Sequence, residues 1–154
     1  MRIIVIAVGK LRDRAVFELT RKYEKRLPGG CKIEWVEVPA VSGRVEPEQA
    51  RAREAERIRR RIPERAWVAA LSEKGREMDS LAFARWLSRL RDRGRDVCFI
   101  IGGVSGLHPS LLKKSDETIS LSRLTFPHEL TRAILAEQIY RAFSILGNEP
   151  YHRE

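Results

Sequence analysis

The sequence predicts an α/β protein with a mainly parallel sheet and helices on both faces. Two observations carry this. Five short β-rich runs alternate with segments whose apolar residues recur at helical spacing, the pattern of successive strand–helix–strand units. The chain also has 154 residues, 43% hydrophobic and 33% charged. That is enough to bury a sizeable core as one domain over residues 1–154 with no metal or disulfide staple.

Taken in order, Ile3–Val8 reads as a buried strand, and Val16, Leu19, Tyr23 and Leu27 follow at helical spacing. Ile33–Val38 is β-rich and ends at Pro39. Pro47 to Ile62 is a charged helix, with Pro47 suited to its first turn. Trp67–Leu71 is the third strand. Asp79 or Ser80 caps a helix through Leu81, Trp86, Leu87 and Leu90 that stops near Gly94. Val97–Ile101 is the fourth strand and Thr118–Leu121 a short fifth. His128 to Gly147 forms a long helix carrying Leu130, Ile134, Leu135, Ile139, Ala142, Phe143 and Leu146, enough apolar positions for the core and a dimer face together.

Several classes are excluded or disfavoured. The apolar content argues against disorder, and no apolar run approaches the roughly 20 residues that span a bilayer. Ile3–Val8 is too short for a secretory core. Cys31 and Cys98 lack CxxC spacing, which points to a cytosolic protein, and Cys98 falls inside a strand as an inert thiol. No His, Cys, Asp or Glu grouping has metal-ligand spacing, so no metal is expected.

The charge is unevenly placed. Lys and Arg number 30 against 21 Asp and Glu, net +9. Residues 1–95 hold 24 of the former and 14 of the latter, net +10; the remainder holds 6 and 7, net −1. The excess concentrates in Lys10 to Arg26, Arg51 to Arg65 and Arg85 to Arg95, the footprint of a polyanion-binding face. The alternative is a solvated surface on which Glu48, Glu54 and Glu56 pair with neighbouring arginines.

In parallel α/β folds, ligands bind beyond the carboxyl ends of the strands. Three loops qualify: Ser72–Gly75, Gly102–Gly106 and the stretch around Ser120–Phe126. In IIGGVSGL, three glycines follow a strand directly and let the backbone turn sharply against a ligand. The run is neither a Rossmann fingerprint nor a P-loop. Around Leu121-Ser122-Arg123-Leu124-Thr125-Phe126, backbone groups can meet an adenine edge while Leu124 and Phe126 supply apolar walls. The tail Tyr151-His152-Arg153 sets a stacking surface, a group titrating near neutrality and an anion partner side by side. For His108 and His128 the plain reading is helix capping or core hydrogen bonding. No G-x-S-x-G supports hydrolysis.

IIGGVSGL together with SLSRLTFPHELTRAILAEQIYRAFSILGNEPYHRE resembles the RlmH family of ribosomal large-subunit methyltransferases, and the opening IIVIAVGK resembles that family's first strand. The likeness spans the chain, is densest from Asp96 to Glu154, and is less distinctive over Val41 to Arg65. It implies a SPOUT-type α/β fold with a C-terminal trefoil knot, a feature nearly absent elsewhere, and a homodimer. It further implies S-adenosylmethionine as methyl donor and, as substrate, N3 of a pseudouridine in the helix 69 loop of 23S rRNA on assembled ribosomes. On this resemblance Leu71, Gly102 and Leu121, Ser122, Arg123, Leu124, Thr125 and Phe126 fall on cofactor-binding positions. Gly103 joins them as part of the same turn.

With that chemistry, an imide N3–H must lose its proton before it attacks a methyl group in line. The expectation is that Tyr151, His152 and Arg153 complete the target pocket, with the partner subunit as one way to do so. Arg153 or Arg141 steadies the developing anion, His152 or else His128 takes the proton, and Tyr151 stacks on a base. The basic two thirds holds rRNA through phosphates. Competing readings are a knotted methyltransferase acting on another RNA such as tRNA, and a non-catalytic ribosome- or RNA-binding factor. A nucleotide-binding α/β protein is disfavoured by the absent Rossmann and Walker signatures.

Overall fold

In the computed structural model, which describes residues 1–152, five strands form one sheet: β1 (Ile3–Val8), β2 (Ile33–Val38), β3 (Trp67–Glu77), β4 (Val97–Ile101) and β5 (Glu117–Ser120). Every ladder is parallel and the spatial order is β2-β1-β4-β3-β5. The helices are α1 (Arg14–Glu24), α2 (Pro47–Arg59), α3 (Ser80–Asp92), α4 (Pro109–Lys114) and α5 (His128–Leu146). The sheet is covered on both faces. Ile3, Val5 and Ala7 of β1 pack with Phe83 and Leu87 of α3 and Leu135 and Ile139 of α5. The alternate residues Ile4, Ile6 and Val8 pack with Ala55 and Ile58 of α2 and Leu111 of α4. A strand buried on both faces must be apolar at every position, which is why Ile3–Val8 does not alternate.

Local chemistry sets most element ends. The Asp13 carboxylate accepts from Val16 N at 3.0 Å to start α1. Asp79 accepts from Ala82 N at 2.6 Å to start α3, and Gly94 takes the left-handed conformation after it, at φ 64°.

Several expectations need correction. The α1 helix stops at Glu24, so Leu27 reaches the core from the following turn. Leu19 is exposed with Phe17, and the buried position is Thr20, whose hydroxyl donates to the Val16 carbonyl at 2.8 Å. The α2 helix ends at Arg59 rather than Ile62, because Pro63 bars the residue before it from helical geometry. Glu54 is not a surface partner for arginine: it is buried and accepts from Val41 N at 3.0 Å. The helix α4, which the periodicity misses, starts with Pro109 behind the N-cap His108, whose Nδ1 accepts from Ser110 N at 3.2 Å. The fifth strand begins and ends one residue earlier than its apolar run indicates.

The largest departure is β3. It does not end at Leu71 but runs to Glu77, pairing again with β5 after a register shift between Leu71 and Arg76. Ser72–Gly75 therefore lies within the strand. Gly75 makes this possible, since a Cβ there would lie 2.6 Å from the Ile119 carbonyl carbon.

Arg132 fixes α5 on this frame. Its side chain is almost wholly buried and donates to the Gly9 carbonyl at 2.6 Å and to Glu37 Oε1 at 2.7 Å. Burial pushes the Glu37 carboxyl up, but the Leu11 N–H and the Arg132 guanidinium outweigh it and hold it below the usual carboxylate range. The pair's contribution is therefore complete above the unfolded value of about 4.3 and is lost as pH falls through the lower folded value. Glu37→Gln keeps an acceptor for Arg132 but removes its charge partner, and is expected to cost about 1–2 kcal/mol at neutral pH. The gap between variant and parent should narrow below about pH 4, measured by thermal melts across pH.

Candidate active site

Beyond the carboxyl ends of β4 and β5, and against the bulge within β3, opens a cleft of about 790 Å³. Its floor is the turn after β4. Gly106 N donates to the Gly103 carbonyl at 3.0 Å, folding Gly102–Gly106 back on itself. A Cβ on Gly102 would lie 2.6 Å from the Gly106 carbonyl carbon, so the turn closes only with glycine there. One wall is the stretch after β5, stitched by Ser120 Oγ donating to the Ser122 carbonyl at 2.9 Å and Leu124 N donating to Ser122 Oγ at 3.0 Å. The other is the β3 segment through Leu71, Ser72, Glu73 and Lys74.

Of the nine residues expected at a cofactor, eight line this cleft: Leu71, Gly102, Gly103, Leu121, Ser122, Leu124, Thr125 and Phe126. Arg123 does not. Its side chain turns outward and pairs with the Glu77 carboxylate at the exposed end of β3. His128, at the first turn of α5, lines the cleft, whereas His108 caps α4 instead. Lys74, in the Ser72–Gly75 candidate stretch, lines it as well, whereas the sequence reading did not place Arg51, Leu112 or Thr131 at a site that they also line. The His108-Pro109 pair was the available signal for the α4 side of the cleft, since proline favours the first helical position.

The tail residues gather elsewhere. Tyr151 Oη donates to Glu137 Oε1 at 3.1 Å, and Arg141 Nε donates to the same oxygen at 2.9 Å. The Tyr151 ring packs on Tyr140 with centroids 4.6 Å apart. Guanidinium groups of Arg141 and Arg26 lie over it at 4.7 and 5.4 Å. Arg141 Nη1 lies 3.3 Å from His152 Nδ1. Burial, with hydrogen bonds to Tyr23 and Glu137, pushes the Tyr151 phenol well above its usual value, so it stays a protonated donor. The Glu137 hydrogen bond raises Arg141. Sequence reasoning missed Glu137; its signal was the i,i+4 spacing to Arg141 on one helix.

His128 and Arg141 are 13 residues apart on α5, about 20 Å along the axis. Within one chain, the cleft and the Tyr151–His152 cluster are thus separate. Arg153 lies outside the described residues. Among the described residues, no three His, Cys, Asp or Glu side chains group as metal ligands, and no helix is long and apolar enough to cross a membrane. Cys98 lies in β4, where burial pushes its thiol up to about 12.

A parallel sheet in this order, with the loops after β4 and β5 meeting the bulge of β3 around one cleft, and a match to the family model of SPOUT methyltransferases together define a SPOUT-type α/β fold. The family model described as predicted SPOUT methyltransferase matches residues 1–152. A probable methylase family protein from Haemophilus influenzae Rd KW20 superposes with a TM-score of 0.55 at 14% identity, covering 99% of this chain and 70% of that one. A putative methylase family protein from Neisseria gonorrhoeae gives 0.52 at 12%, covering 99% and 85%. These likenesses concern the fold.

Sequence relatives are nearer. Ribosomal RNA large subunit methyltransferase H of Gluconacetobacter diazotrophicus is 44% identical over 149 residues, covering 97% of this chain and 95% of the relative. The protein of that name from Limosilactobacillus reuteri is 43% identical over 159 residues, covering 99% and 100%. This chain belongs to the ribosomal RNA large subunit methyltransferase H family.

The turn after β4 offers a direct contrast. Gly102→Ala is expected to destabilise by about 1–3 kcal/mol, because the added methyl meets backbone that cannot step aside. Val104→Ala, at a position 93% exposed on the same turn, should change stability by less than about 0.5 kcal/mol. Paired thermal melts check both.

Proposed function

We propose that this protein transfers a methyl group from S-adenosylmethionine to N3 of a pseudouridine in the helix 69 loop of 23S rRNA, on assembled ribosomes in the cytoplasm. The observation that carries the reading is the cleft itself, in which eight of the nine expected cofactor positions converge. Its walls suit an adenosine-bearing cofactor: Leu71, Leu121, Leu124 and Phe126 are apolar, and the glycine turn brings bare backbone close, where side chains would fill the space. Bound there, S-adenosylmethionine supplies an electrophilic methyl on a sulfonium centre.

The chain's own residues supply position and charge. His128, at the cleft, would take the N3 proton, and the lone pair left on nitrogen would bond the methyl carbon as the carbon–sulfur bond breaks, its electron pair staying on sulfur to leave a neutral thioether. Tyr151 stacks on the target base or a neighbour, and Arg153 is the cation expected for the imide anion. Since Tyr151 and His152 pack against Glu137 and Arg141, about 14–20 Å along α5 from His128 at the cleft, the site is completed by the tail of a second copy. Phe17 and Leu19, exposed on α1 alongside α5, supply apolar surface to that homodimer. The knot implied by the resemblance belongs to this reading, with residues 1–154 as one SPOUT domain. Arginine-rich α2 and α3 hold rRNA phosphates.

The test is transfer of labelled methyl from S-adenosylmethionine to ribosomes, free 50S subunits and naked 23S rRNA, all lacking the modification. Label on ribosomes alone, mapped to the helix 69 pseudouridine, is the expected result; label on tRNA, or cofactor binding with no transfer to any rRNA, defeats the reading. Ribosome affinity should fall steeply with salt, by about one unit of log–log slope per phosphate contact. A variant impaired in the cleft and a second impaired at Tyr151 should regain activity on mixing, which tests the shared site.

A further inference from the structure

We infer that His152 acts as a hydrogen-bond donor through Nε2–H, with Arg141 fixing its tautomer, and does not serve as the proton acceptor of the reaction. The geometry rests on one contact and its surroundings. Arg141 Nη1 stands 3.3 Å from His152 Nδ1. A guanidinium has five N–H donors and no lone pair to offer, so the imidazole nitrogen facing it must accept. That nitrogen carries no proton. In a neutral imidazole the proton then resides on Nε2, which turns that atom into a donor.

Arg141 cannot readily rotate out of this role. Its Nε and Nη2 both donate to Glu137 Oε1, a carboxylate mostly buried on α5. Glu137 Oε2 is in turn held by Gln138 Nε2 at 2.7 Å, whose own carbonyl accepts from Ser80 Oγ of α3 at 2.9 Å. The guanidinium plane is thereby fixed from the α3 side as well as from its own helix. Among the described residues, the charged and titratable groups packed around the cluster are Tyr23 of α1, Arg26 in the turn after it, Glu137, Tyr140 and Arg141 of α5, and Tyr151. A proton on Nδ1 would point at the N–H groups of Arg141.

The chemical consequence rests on the pseudouridine reading above. The imide nitrogen is flanked by two carbonyls, onto which its negative charge spreads when the proton leaves. An Nε2–H group presented to one of these oxygens stabilises that charge, as a donor placed in advance does in other anion-forming reactions. His152 would then touch the reacting imide as an electrostatic partner, and Arg141 would be its positioning residue. The proton goes to a different acceptor, for which His128 is the imidazole that lines the cleft.

Two measurements test this. The first is 15N NMR of the full chain labelled at histidine, with His152 assigned by the signals lost in His152→Gln. At pH 7 the proton is expected on Nε2, with Nδ1 bare; a proton on Nδ1, or an imidazolium, overturns the inference. The second is ribosome methylation. His152→Gln keeps an N–H donor and is expected to stay within about 10-fold of the parent, while His152→Ala falls by about 100-fold, the scale of one lost transition-state donor. Equal losses in both variants overturn the donor role. Should the parent place no methyl on ribosomes, the functional reading fails, and the tautomer measurement still decides the assignment of the proton.

Discussion

Arg132 occupies the point where α5 meets the segments leaving β1 and β2, and its burial makes the placement of α5 a matter of electrostatics as well as packing. A guanidinium out of water is tolerable only when paired and hydrogen-bonded. The Gly9 carbonyl and the Glu37 carboxylate meet that demand at the two Nη groups, while Nε has no hydrogen-bond partner among the described residues, and both acceptors sit at ends of parallel neighbours. The first turn of α5 is tied to the same region, where the Glu129 carboxylate accepts from the N–H groups of Arg12 and Asp13. His128 precedes Arg132 by four residues and so shares its face of the helix. The interaction that anchors α5 therefore also sets where an imidazole enters the cleft.

The cleft depends on two close approaches of backbone to backbone. At Gly102 the turn after β4 folds onto Gly106, and at Gly75 strand β3 presses against Ile119 of β5. The first shapes the floor and the second lets β3 continue past its bulge into the wall. The far half of α5 carries a second, differently built cluster. There a partly buried carboxylate, Glu137, collects donors from Arg141, Gln138 and Tyr151, and two guanidinium groups lie over the aromatic pair of Tyr140 and Tyr151. One end of α5 is walled by loops, and the other is a clasp of side chains.

Much of this architecture was legible in the sequence because it follows from period. β1 and β4 are apolar throughout since both faces are covered, and their limits match the apolar runs. Asp79 and Gly94 bracket α3 by capping chemistry alone. What escaped was set by tertiary contact. β3 past Leu71 is polar and looks like a loop, and only its pairing with β5 makes it a strand. Glu54 looks like a surface acid until the Val41 N–H is placed against it. Arg123 sits among the cleft residues in sequence, yet its side chain follows Glu77 outward. Of the tail, composition revealed the types of chemistry present but not that Glu137 would organise them.

The length of α5 has a consequence for how chains of this kind can vary. A helix advances by about 100° per residue. One residue inserted between Arg132 and Glu137 would leave the first turn docked on Gly9 and Glu37 while swinging everything after it by more than a quarter turn. Gln138 would leave the Ser80 hydroxyl, and Tyr140 would leave Arg26. No smooth relaxation absorbs such a phase error, because each end is fastened to a different part of the sheet's covering. Insertions and deletions between relatives should therefore collect in the loops, such as the segment between β2 and α2, and spare this rod entirely.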